Sequence, residues 1–145
     1  MQDREAFRAS MTQLVRDAEA ALVRGEPGPL MQMWSNTDPV SLLGAVGVTK
    51  IGWDEIRRTL QAVSSRLSGG EDITYEIMSF DISDDVAWTA GLVRYTGRMD
   101  AGPRTQYALR LTHIYRREAG NWKIAHQHSD FQPVNQGAPA DPSPR

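Results

Sequence analysis

The chain is expected to be an α+β protein, with N-terminal helices packed on a curved antiparallel sheet. Three observations predict this. Apolar residues recur at helical spacing through the first half, and from Ile73 onward the period becomes two. The alternating segments are joined by short turns, which favours an antiparallel meander over parallel crossovers. Helices first and strands last is the element order of the α+β class.

In order along the chain, Phe7, Met11, Leu14, Val15, Ala18, Ala21 and Leu22 draw one stripe on a helix from about Asp3 to Arg24, which Gly25 stops. Pro27-Gly28-Pro29 turns the chain. A short helix from Pro29 to Trp34 starts on its proline and presents Leu30, Met33 and Trp34 inward. Asp38-Pro39 breaks it, and Val40 to Leu43 reads as a short strand. Ile56, Leu60, Val63 and Leu67 mark a third helix from about Asp54, ended by Gly69-Gly70. Strands are expected at Ile73–Asp81, Val86–Met99, Arg104–Arg117 and Trp122–Phe131. With the first helix across one face and the other two closing the ends, the sheet becomes a cone with an opening. One domain covers residues 1–131, and residues 132–145 hold almost nothing to bury and are expected to form a disordered tail.

With 145 residues, the chain can bury a core as a single domain. A net charge of −2 gives no electrostatic footprint for nucleic acid or an anionic membrane surface. Zero cysteines remove disulfides, thiolate metal sites and cysteine nucleophiles. The first ten residues are charged and resemble no signal peptide, and no apolar run approaches the ~20 residues of a membrane span, so a cytoplasmic location is expected.

The segment Ala108–Phe131 carries the densest chemistry. Glu118-Ala119-Gly120 has the form of a three-residue hairpin loop with glycine at the left-handed position. That loop would set Arg116 opposite Trp122, Ile114 opposite Ile124, Thr112 opposite His126 and Arg110 opposite His128, all on one face. A cover over Trp122 and Ile124 would then enclose Arg110, Thr112, His126 and His128 in a pocket. Arg110 in mid-strand needs a partner: either an ion pair with Asp38 or Glu76, or a ligand carboxylate held in its fork. His126 and His128 would either order the wall or bind ligand and move protons. No metal is expected, because no carboxylate shares their face to complete a ligand set. Trp34, closing the cone, is the aromatic expected to touch a ligand, with Trp53 and Tyr95 as further lining. Leu109, Leu111, His113 and Tyr115 fall on the opposite, outer face, where a second copy of the chain is expected to cover them.

LMQMWSNTDPVSLLGAVG (30–47), GWDEIRRTL (52–60), DDVAWTAG (84–91) and RLTHIYRREAGNWKIAHQHSDF (110–131) together resemble the nuclear transport factor 2-like (NTF2-like) superfamily. The resemblance is narrower to its SnoaL-like group, related to the calcium/calmodulin-dependent protein kinase association domain. It implies a cone-shaped fold, a pocket between helices and sheet, and a homodimer, but it fixes no activity. Steroid isomerases of that superfamily carry a carboxylate at the position aligned with Gly44 and a tyrosine near Ala18; this chain has neither. Three functions follow as expectations. The first is a small-molecule-binding homodimer with an amphipathic pocket for an organic acid or polar aromatic. The second is a cofactor-independent isomerase, cyclase or dehydratase with His128 or His126 as general base and Arg110 as clamp. The third is an assembly module with a vestigial pocket.

Overall fold

The computed structural model describes residues 3–132. The elements run α1 (Arg4–Leu22), α2 (Gly28–Met33), β1 (Ser41–Leu43), β2 (Thr49–Ile51), α3 (Trp53–Ser64), β3 (Leu67–Ile82), β4 (Val86–Met99), β5 (Thr105–Glu118) and β6 (Asn121–Phe131). Of the expected tail from 132 to 145, Gln132 donates its backbone N–H to the Ala108 carbonyl at 2.8 Å, and residues 133–145 lie outside the described residues.

The Asp3 carboxylate accepts from the backbone N–H of Glu5 at 2.9 Å and caps α1. Phe7, Met11, Val15, Ala18 and Leu22 are buried against the sheet. Leu14, expected in that stripe, is 49% exposed, and Glu19 is buried in it instead.

Strands β3 to β6 form the expected meander. The sheet is larger, with order β2-β1-β6-β5-β4-β3, and β1 runs parallel to β6 while β2 pairs antiparallel with β1. The sheet is therefore mixed and open, with α1 lying across its concave face. The third helix is shorter than expected, and Leu67 to Gly70 already belong to β3. Gly69 and Asp72 have φ of 65° and 56°, and the β3–β4 register shifts twice between Ser68 and Thr74. Gly70 packs on the end of α1 so closely that a Cβ would stand 2.1 Å from Val23 Cγ2. The two glycines thus bend a strand where a helix stop was expected.

The β5–β6 hairpin differs from expectation in two ways, and together they reassign its faces. Ala119 and Gly120 have φ of 50° and 81°, so the loop has two residues and places Glu118 opposite Asn121. A β-bulge at Ala125 then separates the Tyr115–Ile124 pair from the Ile114–His126 pair. As a result Leu109, Leu111, His113 and Tyr115 face the helices together with Ile124, Gln127 and Ser129. Arg110, Thr112, Ile114, His126 and His128 point to the convex side.

Candidate functional site

A cavity of about 80 Å³ lies between α1, α3, the loop after β1 and the concave face of the sheet. Its wall is mostly apolar, with Leu22, Leu30, Leu42, Leu60, Val63 and Leu109 contributing much of it. Five side chains give it polarity: Glu19 from α1, Thr59 from α3, Tyr95 from β4, and Gln127 and Ser129 from β6; the Thr59 hydroxyl is already spent on the Glu55 carbonyl at 2.8 Å. Among the described residues, no lysine, arginine or histidine lines it.

Glu19 is 2% exposed. No protein hydrogen bond reaches its carboxyl among the described residues. A carboxylate in that position has lost its water without gaining a donor, so burial raises its pKa from 4.5 to about 7. Its charge also helps hold the phenols of Tyr75, Tyr95 and Tyr115 neutral, although burial is the larger cause for each.

On the sheet side, a chain of hydrogen bonds runs from the core to the cavity wall. His113 Nδ1 is 3.1 Å from Tyr115 Oη, and His113 Nε2 is 3.0 Å from Gln127 Oε1. Gln127 Nε2 donates in turn toward Ser129 Oγ at 3.5 Å. Burial lowers the His113 pKa to about 4, so the ring is neutral at physiological pH. Tyr75 Oη and Thr89 Oγ1 lie buried in the same region, with the Thr89 hydroxyl near the phenols of Tyr75 and Tyr115 but in good hydrogen-bond geometry with neither.

The residues singled out from sequence are distributed otherwise than expected. Tyr95 lines the cavity. Arg110 does not: it lies on the convex face and makes two 2.6 Å hydrogen bonds to Asp130, directly opposite on β6, and pairs with neither Asp38 nor Glu76. That fork holds the Asp130 carboxyl below its ordinary pKa. The arginine that ties sheet to loop is Arg116, which donates to Ser35 Oγ and to the carbonyls of Thr37 and Pro39. Thr112 and His128 are exposed on the convex face. His126 shares that face, and its Nδ1 is 2.7 Å from Ser41 Oγ; partial burial lowers its pKa. Among the described residues, no cluster of three or more histidine and carboxylate side chains could hold a metal ion. Trp34 is buried and, with Trp53, borders a shallow cleft at Met31 and Lys123 rather than the cavity. His113, expected on an outer interface, is fully buried on the inner face.

Glu19, Gln127 and Ser129 are the site residues that pattern reading passes over. A signal for Glu19 existed: it follows Val15 by four and precedes Leu22 by three, so it sits on the apolar stripe. In His126-Gln127-His128-Ser129 the histidines attract attention, while the intervening residues face the cavity.

Helices capping an open, curved sheet around an apolar cavity define the cone-shaped NTF2-like, cystatin-like class of α+β protein. Within that class, the chain belongs to the SnoaL-like domain family, whose model matches residues 11–133. Similar solved structures include a candidate dehydratase of the NTF2-like family from Streptomyces avermitilis. It is 16% identical, with a TM-score of 0.72, over 91% of this chain and 99% of that one. A candidate calcium/calmodulin-dependent protein kinase II association domain from Xanthomonas campestris is 21% identical, with a TM-score of 0.65, over 87% and 88%. An NTF2-like superfamily protein from Salmonella enterica is 14% identical, with a TM-score of 0.69, over 95% and 100%. At such identities the likeness is one of fold. Among curated proteins no sequence match was found. The family makes this a domain of the ligand-binding or enzymatic kind, and among the described residues no helix is long and apolar enough to cross a membrane.

Proposed function

We propose that the cavity binds a small, uncharged, mainly apolar molecule and that Glu19 moves a proton to or from it, as in isomerases, cyclases and dehydratases. One observation carries this: a buried carboxyl stands at an apolar cavity with no protein partner among the described residues. A carboxylate kept for stability would be paired, because burial without a donor costs free energy. A group that titrates near pH 7 is instead divided between acid and base at neutral pH, which is the condition for general acid–base work. The organic-acid ligand expected from sequence is disfavoured, since no cation among the described residues lines the cavity and an anion would face the Glu19 carboxylate. The departure from steroid isomerases has a counterpart here: Gly44 lies in the cavity wall without a carboxylate, and the carboxylate comes from the helix, next to Ala18.

The test uses a panel of small ketones in deuterium oxide, with bound and free forms followed by proton NMR. Wild type should exchange the protons beside the carbonyl at a rate that rises with pH through about 7. Glu19→Gln should bind the same ketones and exchange them at least tenfold more slowly. Equal exchange by both proteins would overturn the assignment.

A homodimer through the convex face belongs to the same proposal. The patch that supports it differs from the expected one, because Leu109, Leu111 and Tyr115 are internal. Met78, Val86, Trp88 and Ile114 are instead 65%, 47%, 40% and 39% exposed, and Trp88 stands opposite Ile114. Light scattering should give twice the chain mass for wild type and one chain mass for Trp88→Asp. A wild-type monomer at micromolar concentration would end this part of the proposal.

A further inference from the structure

We infer that the Gln127–Ser129 wall of the cavity recognises an acceptor oxygen, as in a ketone, ester or ether, and that His113 and Tyr115 are positioning residues fixing the Gln127 amide for that task. This rests on the reading of the cavity as a ligand site and adds what the sheet side of that site selects.

The positions of the protons follow from hydrogen-bond satisfaction. Tyr115 is fully buried; the Thr89 hydroxyl lies near its phenol, but the contact with hydrogen-bond geometry is the one to His113 Nδ1. A buried phenol O–H left without an acceptor is costly, so the hydroxyl donates and Nδ1 accepts. The neutral imidazole has one N–H, which must then be on Nε2. Nε2–H requires an acceptor, and the Gln127 carbonyl oxygen at 3.0 Å supplies it. With its oxygen committed to His113, the Gln127 amide turns its NH₂ toward Ser129 and the cavity. A flipped amide would either set N–H against N–H at Nε2 or, with the imidazole proton moved to Nδ1, leave the Tyr115 hydroxyl without that acceptor.

The result is a wall that donates. One Gln127 N–H and the Ser129 O–H have no protein acceptor among the described residues, and both side chains line the cavity. Gln127 is 7% and Ser129 5% exposed, so water access is limited and an acceptor on the ligand is the group that satisfies them. A hydrocarbon in the same place would leave both donors unpaired, and the site rejects it on that account.

The experiment compares cyclohexanone with methylenecyclohexane, which has the same shape without the oxygen. Dissociation constants are read by NMR titration, following the Gln127 side-chain amide. Wild type should prefer the ketone by about fivefold, the range of one net neutral hydrogen bond. Gln127→Leu should bring the ratio to about one. His113→Phe should do the same while leaving the affinity for methylenecyclohexane in place, an effect that a loss of packing alone would not produce. Should His113→Phe fail to fold, the ring nitrogen shifts of wild-type His113 decide the positioning role, and Nε2–H should persist from pH 8 to pH 5. An Nδ1–H tautomer, a ketone preference that survives in Gln127→Leu, or binding of neither probe would overturn the inference. Glu19→Gln separates the two claims. If it keeps the ketone preference and also keeps wild-type proton exchange, the acid–base role falls and the donor wall stands.

Discussion

On β5 and β6, residues one position apart occupy different media. His113 and Gln127 are buried, and their hydrogen bonds run within the protein toward the cavity. Arg110 and Asp130, on the convex side of the same two strands, have side chains 59% and 49% exposed, and their ion pair stands in water. On the concave side burial moves the titrating groups: Glu19 up to about 7 and His113 down to about 4. On the convex side the Asp130 shift comes first from the Arg110 hydrogen bond, and solvent screening keeps such a pair from contributing much stability. Residues that look equally chemical in sequence therefore differ in environment by the face they occupy, and that face is set by one loop and one bulge.

The largest effect that could break this contrast is a pair of truncations at adjacent positions. Leu111→Ala should cost about 3 kcal/mol in urea denaturation, from lost burial and the cavity left behind. Thr112→Ala, pointing outward, should stay within about 0.5 kcal/mol of wild type. Comparable costs at both positions would mean that the faces are assigned wrongly.

The two buried titrating groups give the next effect, and they act in opposite directions. Glu19 binds its proton more tightly in the folded protein, so stability falls as pH rises from about 4.5 to 7. His113 binds its proton less tightly when folded, so its contribution is present above 6.5 and is lost as pH falls toward 4. Shifts of this size correspond to about 3 kcal/mol each. Glu19→Gln should therefore gain up to about 3 kcal/mol over wild type at pH 8 and almost nothing at pH 4. His113→Phe should lose its deficit relative to wild type as pH falls from 6.5 to 4. Thermal denaturation at several pH values reads both, and parallel profiles for the three proteins would contradict the burial of these groups.

The smallest effect belongs to the convex ion pair. Arg110→Ala should barely lower the urea midpoint, and the difference from wild type should shrink in 1 M salt. Ketone binding in the cavity should not change. A loss of binding in this variant would move the ligand site to the convex face.

Much of the fold was legible because it is written in periods and breakers. The α1 stripe, the proline that opens the second helix, and the alternation in β3 to β6 each reflect a local rule. The site was less legible because it depends on pleat phase, and a shift of one residue exchanges the faces of a strand. The leucines beside Arg110 and the Tyr115 side chain already formed the more apolar row of β5. Reading Glu118-Ala119-Gly120 as three loop residues turned that row outward. Ala125 could not be identified as a bulge from its own sequence, since an alanine between Ile124 and His126 fits a regular strand equally well. β2 escaped notice because three residues pairing only at the sheet edge show no period.

The placement of β6 also governs how the chain can reach its folded state. It is the last of the described strands in sequence, yet it occupies an interior position, with β5 on one side and β1 on the other. Ser41 and His126, which meet across the β1–β6 boundary, are 85 positions apart. During synthesis, β1 and β2 therefore leave the ribosome with only each other to pair with, and β5 carries an open edge until the final hairpin turns back. The β3–β4–β5 meander can pair beforehand, but joining the β1–β2 pair to it has to wait for that hairpin, so closure is a late, non-local event and comparatively slow. In the interval, unpaired strand edges and the apolar row of β5 are open to association with other nascent chains.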